Sequence, residues 1–327
     1  MAAMETQGRD INLSDSRIQG YRNFATKLWN AARFCEMNEC YSVKDFDVTS
    51  AKLEISKWIM AKAKEASAEV TENLNNFRFS DAANAVYQFI WGTFCDWYIE
   101  LIKPIFYGEN ADEIKEIRAV TAWTLDRILV MLHPFMPFIT EELWDNLTIR
   151  SGKLIHAAWP TDETVNGADK NEIDRAIDII SAIRSLRASM NLPAGAKLHA
   201  FVKDAAAETL SVVERQKALI CKLARLEELD ALDNREVTKD MVQTVSREAA
   251  ILIPLKGVVD FEAERARLQK ELETLNKNLE GYSRKLNNES FVAKAPAAVV
   301  AEEKRRQAEA QENKAKVEEA LARIANF

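Results

Sequence analysis

Residues 8–34 read G-R-D-I-N-L-S-D-S-R-I-Q-G-Y-R-N-F-A-T-K-L-W-N-A-A-R-F, and this stretch decides how the rest of the chain is read. Ser14 is placed to cap a helix, because its hydroxyl can accept from a backbone N–H that has no partner inside the helix. Beyond it Tyr21, Phe24, Leu28, Ala32 and Cys35 recur at spacings of three and four, an apolar stripe along one helix face. Arg17, Arg22, Lys27 and Arg33 lie off the stripe or at its start. Arg22 and Arg33 fall about 20° apart on one flank with Trp29 between them, and Lys27 and Phe34 share the other. Spacing alone supports two readings. One is a bundle helix with a solvated basic rim. The other is a surface for single-stranded RNA, where a ring stacks on a base and a cation meets phosphate.

The wording of this stretch goes further than its periodicity. G-R-D-I…S…R-I-x-G-Y-R-N-F-x-x-K-L-W-N-A-x-R-F resembles the start of the anticodon-binding helical domain of the bacterial valyl-tRNA synthetases. F-C-D-W-Y-I-E-L-I-K-P (94–104) and M-L-H-P-F-M-P-F-I-T-E-E-L-W (131–144) agree with it. The W-Y-x-E-x-x-K core also looks like the leucyl and isoleucyl enzymes, so a piece of either is the alternative within the wider group. The resemblance covers essentially the whole chain.

Composition sets limits on these readings. The chain has 327 residues, enough for two or three domains, and its 47% hydrophobic and 29% charged residues are ordinary for a globular protein. No apolar run is long enough to span a membrane and no signal peptide is visible. The start, M-A-A-M-E-T-Q, reads like the middle of a domain and leads us to expect a piece of a longer enzyme. Cys35, Cys40, Cys95 and Cys221 show no C-x-x-C spacing, so neither a zinc site nor a disulfide framework is expected, and a reducing cytoplasm fits. The net charge of −7 excludes a generally basic nucleic-acid binder, so RNA contacts must come from local basic patches.

With only nine glycines, helix-period segments dominate. A second helix is expected from Ser50 to Phe77. A third starts at a Ser80 cap and runs until Pro104 stops it. A fourth spans Ala111 to Leu132, and a short fifth follows Thr140. Leu154 to Trp159 reads as an extended closing segment. These form an up-and-down helical bundle over 1–165. Residues 161–170 are polar and mark a boundary. Beyond them come a helix from Ile173 to Met190, a strand at 197–203, a helix from Ala205 to Leu226, and strands at 229–232 and 249–259. These make a small α/β junction domain over 166–258.

From 259 to 327 the pattern turns to heptads. Leu268, Leu272, Leu275, Leu279, Tyr282 and Leu286 step by three and four, and Val300, Gln307, Ala310, Val317, Leu321 and Ile324 return. The expectation is an antiparallel two-helix coiled-coil arm about 40 Å long at 1.5 Å per residue. Its tip half, 277–306, holds seven basic and four acidic residues, while the base half holds six basic and nine acidic. That polarity suits an arm that touches RNA at its tip. The alternative is a coiled coil that binds a partner protein helix. The fold class expected is therefore mainly α. The layout also resembles the C-terminal tRNA-binding arm of the valyl family.

The resemblance implies a parent enzyme that attaches valine to its tRNA with ATP and Mg and edits threonine. It also implies a cytoplasmic, monomeric full-length protein whose partner is the valine-accepting tRNA. H-I-G-H and K-M-S-K-S, which carry the family's ATP chemistry, do not occur here. Neither does a glycine-rich phosphate loop. His133, His156 and His199 are isolated. We therefore assign no catalytic residue, no metal and no cofactor to this chain. His133 is expected to close a helix, and Asp96 and Glu100 to pair with Lys or Arg. Glu141 and Glu142 are expected to favour their helix's N-terminal dipole. The expected anticodon contacts are Arg17, Arg22, Lys27, Arg33 and Phe34. Those of the arm tip are Arg284, Lys285, Lys294, Arg305 and Arg306.

Overall fold

A computed structural model describes residues 14–43, 46–147, 152–160, 170–190, 192–193, 195–232, 241–255, 261–288 and 297–324. It divides into two compact units, Met1–Ile177 and Asp178–Phe327.

In the first unit, α1 (Asp15–Met37) starts at Ser14, whose hydroxyl accepts from the Arg17 amide at 3.4 Å. Phe24, Leu28, Ala32 and Cys35 of the expected stripe are buried. After α1, α2 (Glu54–Asn75) buries Trp58, Ile59, Met60, Ala63 and Val70. Two further contacts anchor it: the Trp58 indole N–H donates to Asp174 at 2.8 Å, and Lys62 pairs with the same carboxylate at 2.9 Å. α3 (Phe79–Gln88) starts at Phe79, so Ser80 lies inside it and does not cap it. Arg78 holds the capping position without a side-chain bond. Its amide instead closes the end of α2 on the Asn73 carbonyl, with Phe77 left-handed at φ 58°.

α3 continues as a π-helix over Phe89–Tyr98 and then as α4 (Ile99–Phe106). Pro104 lies inside α4, whose last two residues follow it, so the proline comes near the end without being the stop. α5 (Ala111–Leu132) is capped by Asn110, which accepts from the Asp112 and Glu113 amides. α6 (Pro137–Leu147) begins three residues before Thr140, as a proline at the first helical position permits. Leu154–His156 forms a 3-10 turn where an extended segment was expected. Glu141 explains that turn, since its carboxylate accepts from the Leu154 amide at 2.9 Å. No acidic residue lies in the first turn of α6, so the dipole role expected of Glu141 and Glu142 is not found. Instead, Glu142 accepts from Asn146. His133 closes α5 as expected, its Nδ1 2.9 Å from the Thr140 hydroxyl.

α7 (Lys170–Ser189) begins in the first unit and ends in the second. In the second unit a four-stranded sheet has the order β2-β1-β4-β3. β1 (Leu198–Lys203) pairs parallel with β2 (Leu226–Ala231) and antiparallel with β4 (Ala249–Pro254). β4 pairs antiparallel with β3 (Met241–Ser246). β3 was not expected from the sequence. Its inward positions are only partly apolar, and its run is short. α8 (Ala207–Ala224) ends two residues earlier than expected, because Arg225 turns left-handed at φ 56° and releases the chain into β2. Arg187 holds this corner, donating to the carbonyls of Arg225 at 3.2 Å, Pro193 at 3.0 Å and Ala196 at 2.8 Å.

α9 (Phe261–Leu286) and α10 (Ala297–Ile324) pack as an antiparallel pair. Leu268 and Val317 are buried together with Leu272, Leu275 and Leu321 against them. Nearer the turn, Gln307 donates to Ser283 at 3.1 Å and Lys285 to Glu303 at 3.1 Å, fixing the register. The polar boundary at 161–169, the tip loop 289–296 and the continuation of β4 through 256–259 lie outside the described residues.

Candidate nucleic-acid interface

The outer face of α1 carries Arg22 and Arg33, both exposed and neither in an ion pair with a described residue. Trp29 lies between them and is 39% exposed, with Ile18 exposed on the same side. This face presents two cations and one accessible ring. Arg17 is exposed in the first turn.

Lys27 sits differently. Its ammonium pairs with Asp96 and lies 4.2 Å above the centre of the Trp91 ring. In an α-helix residues 91 and 96 would point about 140° apart. The π-helix over 89–98 bonds i to i+5 and stacks residues five apart, so one lysine reaches both. Trp91 also stacks with Tyr87 at 5.8 Å and Phe24 at 6.3 Å, while Phe24 and Tyr87 meet at 4.8 Å. These rings dock α1 on the π-helix. Nothing in the periodicity of 79–104 marks the change of helix type, so this contact was not legible in advance.

Phe34 is half-buried, edge-on to Phe106 at 5.9 Å with the Lys103 ammonium 5.9 Å from its centre. Lys103 also pairs with Glu100 at 2.5 Å, as Asp96 pairs with Lys27, so both acids take the basic partners expected of them. Phe34 thus sits away from the Arg22–Arg33 face. The exposed ring of that face is Trp29, which the sequence places between the arginines but which was not singled out for stacking.

Below this surface, the Tyr98 hydroxyl lies 2.8 Å from that of Thr121, both fully buried. Burial pushes the Tyr98 hydroxyl well above its usual range, against the lowering effect of the Thr121 bond. Burial likewise pushes the Cys95 thiol up to about 12, with Lys27 opposing. Among the described residues no His, Cys or acid combination at this face has the geometry of a nucleophile and its base.

At the turn end of the α9–α10 pair the cations are exposed but largely engaged. Arg305 bonds Glu302 at 2.9 Å and Glu309 at 2.7 Å, and Arg306 bonds Glu302 at 2.9 Å. The two arginines hold the Glu302 carboxyl down at about 2. Lys285 pairs with Glu303, which is 7% exposed and whose second oxygen finds no partner. Arg284 and Lys304 are exposed and form no ion pair with a described residue. Lys294 lies outside the described residues. Five described arginines and lysines, two near the end of α9 and three near the start of α10, thus carry positive charge in the tip half, partly screened by their own acids.

No helix among the described residues is long and apolar enough to cross a membrane.

Residues 56–202 match the family model described as the anticodon-binding domain of tRNA ligase. Residues 260–325 match that of the valyl tRNA synthetase tRNA binding arm. α1 lies ahead of the first match. The chain is 42% identical to the valine–tRNA ligase of Rhodopseudomonas palustris, over 100% of its own length and 37% of that protein's. It is 42% identical to those of Mesorhizobium japonicum, over 99% of the chain and 35% of the relative, and of Brucella suis biovar 1, over 99% and 36%. The chain therefore spans little more than a third of the length of the relatives it matches. Within it, residues 56–202 are similar to the anticodon-binding domain of tRNA ligases and residues 260–325 to the valyl-type tRNA-binding arm.

Proposed function

We propose, from the premise of those two modules, that this chain recognises the valine-accepting tRNA for an aminoacyl-tRNA synthetase. The chemistry of that enzyme, ATP-dependent attachment of valine with editing of threonine, resides in residues other than these. In this reading 1–165 takes the anticodon stem-loop, 166–258 is a junction, and 259–327 reaches the tRNA corner. The parent enzyme is cytoplasmic and monomeric, and this portion uses no cofactor.

One observation supports this reading best. Arg22 and Arg33 stand exposed on one face of α1, neither in an ion pair with a described residue, with Trp29 open between them. The arginines meet anticodon-loop phosphate or base edges, and Trp29 offers a stacking surface for an unpaired base. Arg17 adds charge at the N-terminal end. Lys27 and Phe34 act from behind, fixing α1 to the π-helix and α4. On the arm, Arg284, Lys285, Lys294, Arg305 and Arg306 meet backbone phosphates, which orients the tRNA without reading its sequence.

The test is a mobility shift of valine tRNA at low and moderate salt with the Arg22→Ala/Arg33→Ala double variant. Affinity falls by tenfold or more at low salt if the face binds RNA. An unchanged affinity overturns the assignment. A chain that binds proteins through its helix pair would show no tRNA affinity and little salt dependence.

A further inference from the structure

The parallel pairing of β1 with β2 brings together three side chains that no spacing in the sequence announces. His199 stands opposite Glu228 in register, and Asp230 follows two residues along the same edge strand. The His199 Nε2 is 2.8 Å from Asp230 Oδ2, and one ligand atom from each of His199, Glu228 and Asp230 lies within 4.8 Å of the others. Lys217 reaches in from α8, 2.8 Å from Asp230 Oδ1 and 3.8 Å from Glu228 Oε1. One helical turn further along α8 is Cys221, partly buried. The His199 ring is held from the other side by Phe201, stacked at 4.3 Å.

We propose that His199, Glu228 and Asp230 form a binding site for a zinc-class divalent cation at the edge of the sheet, with the Lys217 ammonium as its resident competitor.

The donor set supports this choice. One imidazole and two carboxylates suit zinc, whereas magnesium prefers oxygen and water alone. Zinc–ligand bonds of about 2.0–2.2 Å put tetrahedral ligands roughly 3.3 Å apart. The His199–Asp230 pair at 2.8 Å opens slightly, and the widest separation, within 4.8 Å, closes by roughly 1.5 Å through side-chain rotation. Each of the three side chains is between 36% and 53% exposed, which leaves room for that rotation and for a water as fourth ligand. The carboxylates need a positive partner at this point. Lys217 supplies one charge, and its bonds hold the Asp230 carboxyl below the usual range, with His199 adding to the effect. A divalent ion supplies two charges and is held by direct bonds, so it displaces the flexible ammonium. Cys221 is not in the set of groups whose ligand atoms lie within 4.8 Å of one another, so it is not counted as a ligand.

Calorimetric titration of the full chain with Zn2+, with Mg2+ as the second arm, tests this. The expected result is one saturable Zn2+ equivalent and none for Mg2+. Co2+ in its place gives the visible absorption of a four-coordinate ion. Lys217→Met tightens binding by tenfold or more, because it removes the competing charge. His199→Ala and Glu228→Gln each weaken it by tenfold or more. Glu228 is exposed, so its variant keeps the proposal testable if loss of the His199–Phe201 stack perturbs folding. Three results overturn the site: no saturable Zn2+ binding, binding unaffected by both ligand variants, or binding lost in Cys221→Ala but kept in Glu228→Gln.

Discussion

Lys27 places its ammonium 4.2 Å above the ring of Trp91, in the same position from which it pairs with Asp96. The lysine therefore ties α1 to the π-helix. Exposed ion pairs contribute little, and Asp96 is 43% exposed, so the cation–π contact and buried stem carry most of the effect. Lys27→Ala is expected to destabilise the chain by about 1–2 kcal/mol in chemical denaturation. Its effect on tRNA affinity should be smaller than that of the Arg22/Arg33 double variant. A larger loss for Lys27→Ala would make it a direct contact.

Tyr98 and Thr121 form a buried pair of hydroxyls in the centre of the bundle. Tyr98→Phe removes one partner and strands the other. The expected loss is about 1–3 kcal/mol, measured by urea unfolding, with helical content unchanged.

Glu302 neutralises two arm arginines at once. Its carboxyl should titrate near 2 by NMR, below the ordinary glutamate range. Because the folded value is depressed, its stabilising contribution is present above the unfolded value of about 4.3 and is lost as pH falls through about 2. Glu302→Gln raises the charge of the tip by one. It should tighten tRNA binding and steepen its salt dependence by about one phosphate contact. Weaker binding would mean that Glu302 positions Arg305 and Arg306 productively.

Removing residues 260–327 should weaken tRNA binding by about 1–3 kcal/mol, as loss of several phosphate contacts would, and flatten the salt dependence. The bundle loses no described packing contact within its own unit, so its unfolding midpoint should hold. An unaltered affinity would contradict the arm's assignment.

The helices of the bundle were legible because their apolar residues follow a 3.6-residue period over long spans, as in α1 and α5. The same holds for the antiparallel pair, whose register is set by Leu268 against Val317. Several boundaries were misread for local reasons. Arg78 and Phe77 close α2 through backbone bonds, so Ser80 never caps α3. Pro104 is tolerated near the end of α4. Glu141 draws 154–156 into a turn from thirteen residues away. β3 carries too short and too mixed a run to announce itself. At the interface the cations of α1 were visible, but their division was not. What Lys27 engages depends on Trp91 and Asp96, which the π-helix brings within reach of one side chain.

In the proposed function this chain reads the anticodon of the valine-accepting tRNA. The most direct measurement compares its affinity for that tRNA with its affinity for the same transcript carrying an altered anticodon, at one low salt concentration. At least tenfold weaker binding to the altered transcript is expected, about 1.4 kcal/mol. Equal affinity for the two, or no measurable binding to either, would contradict it.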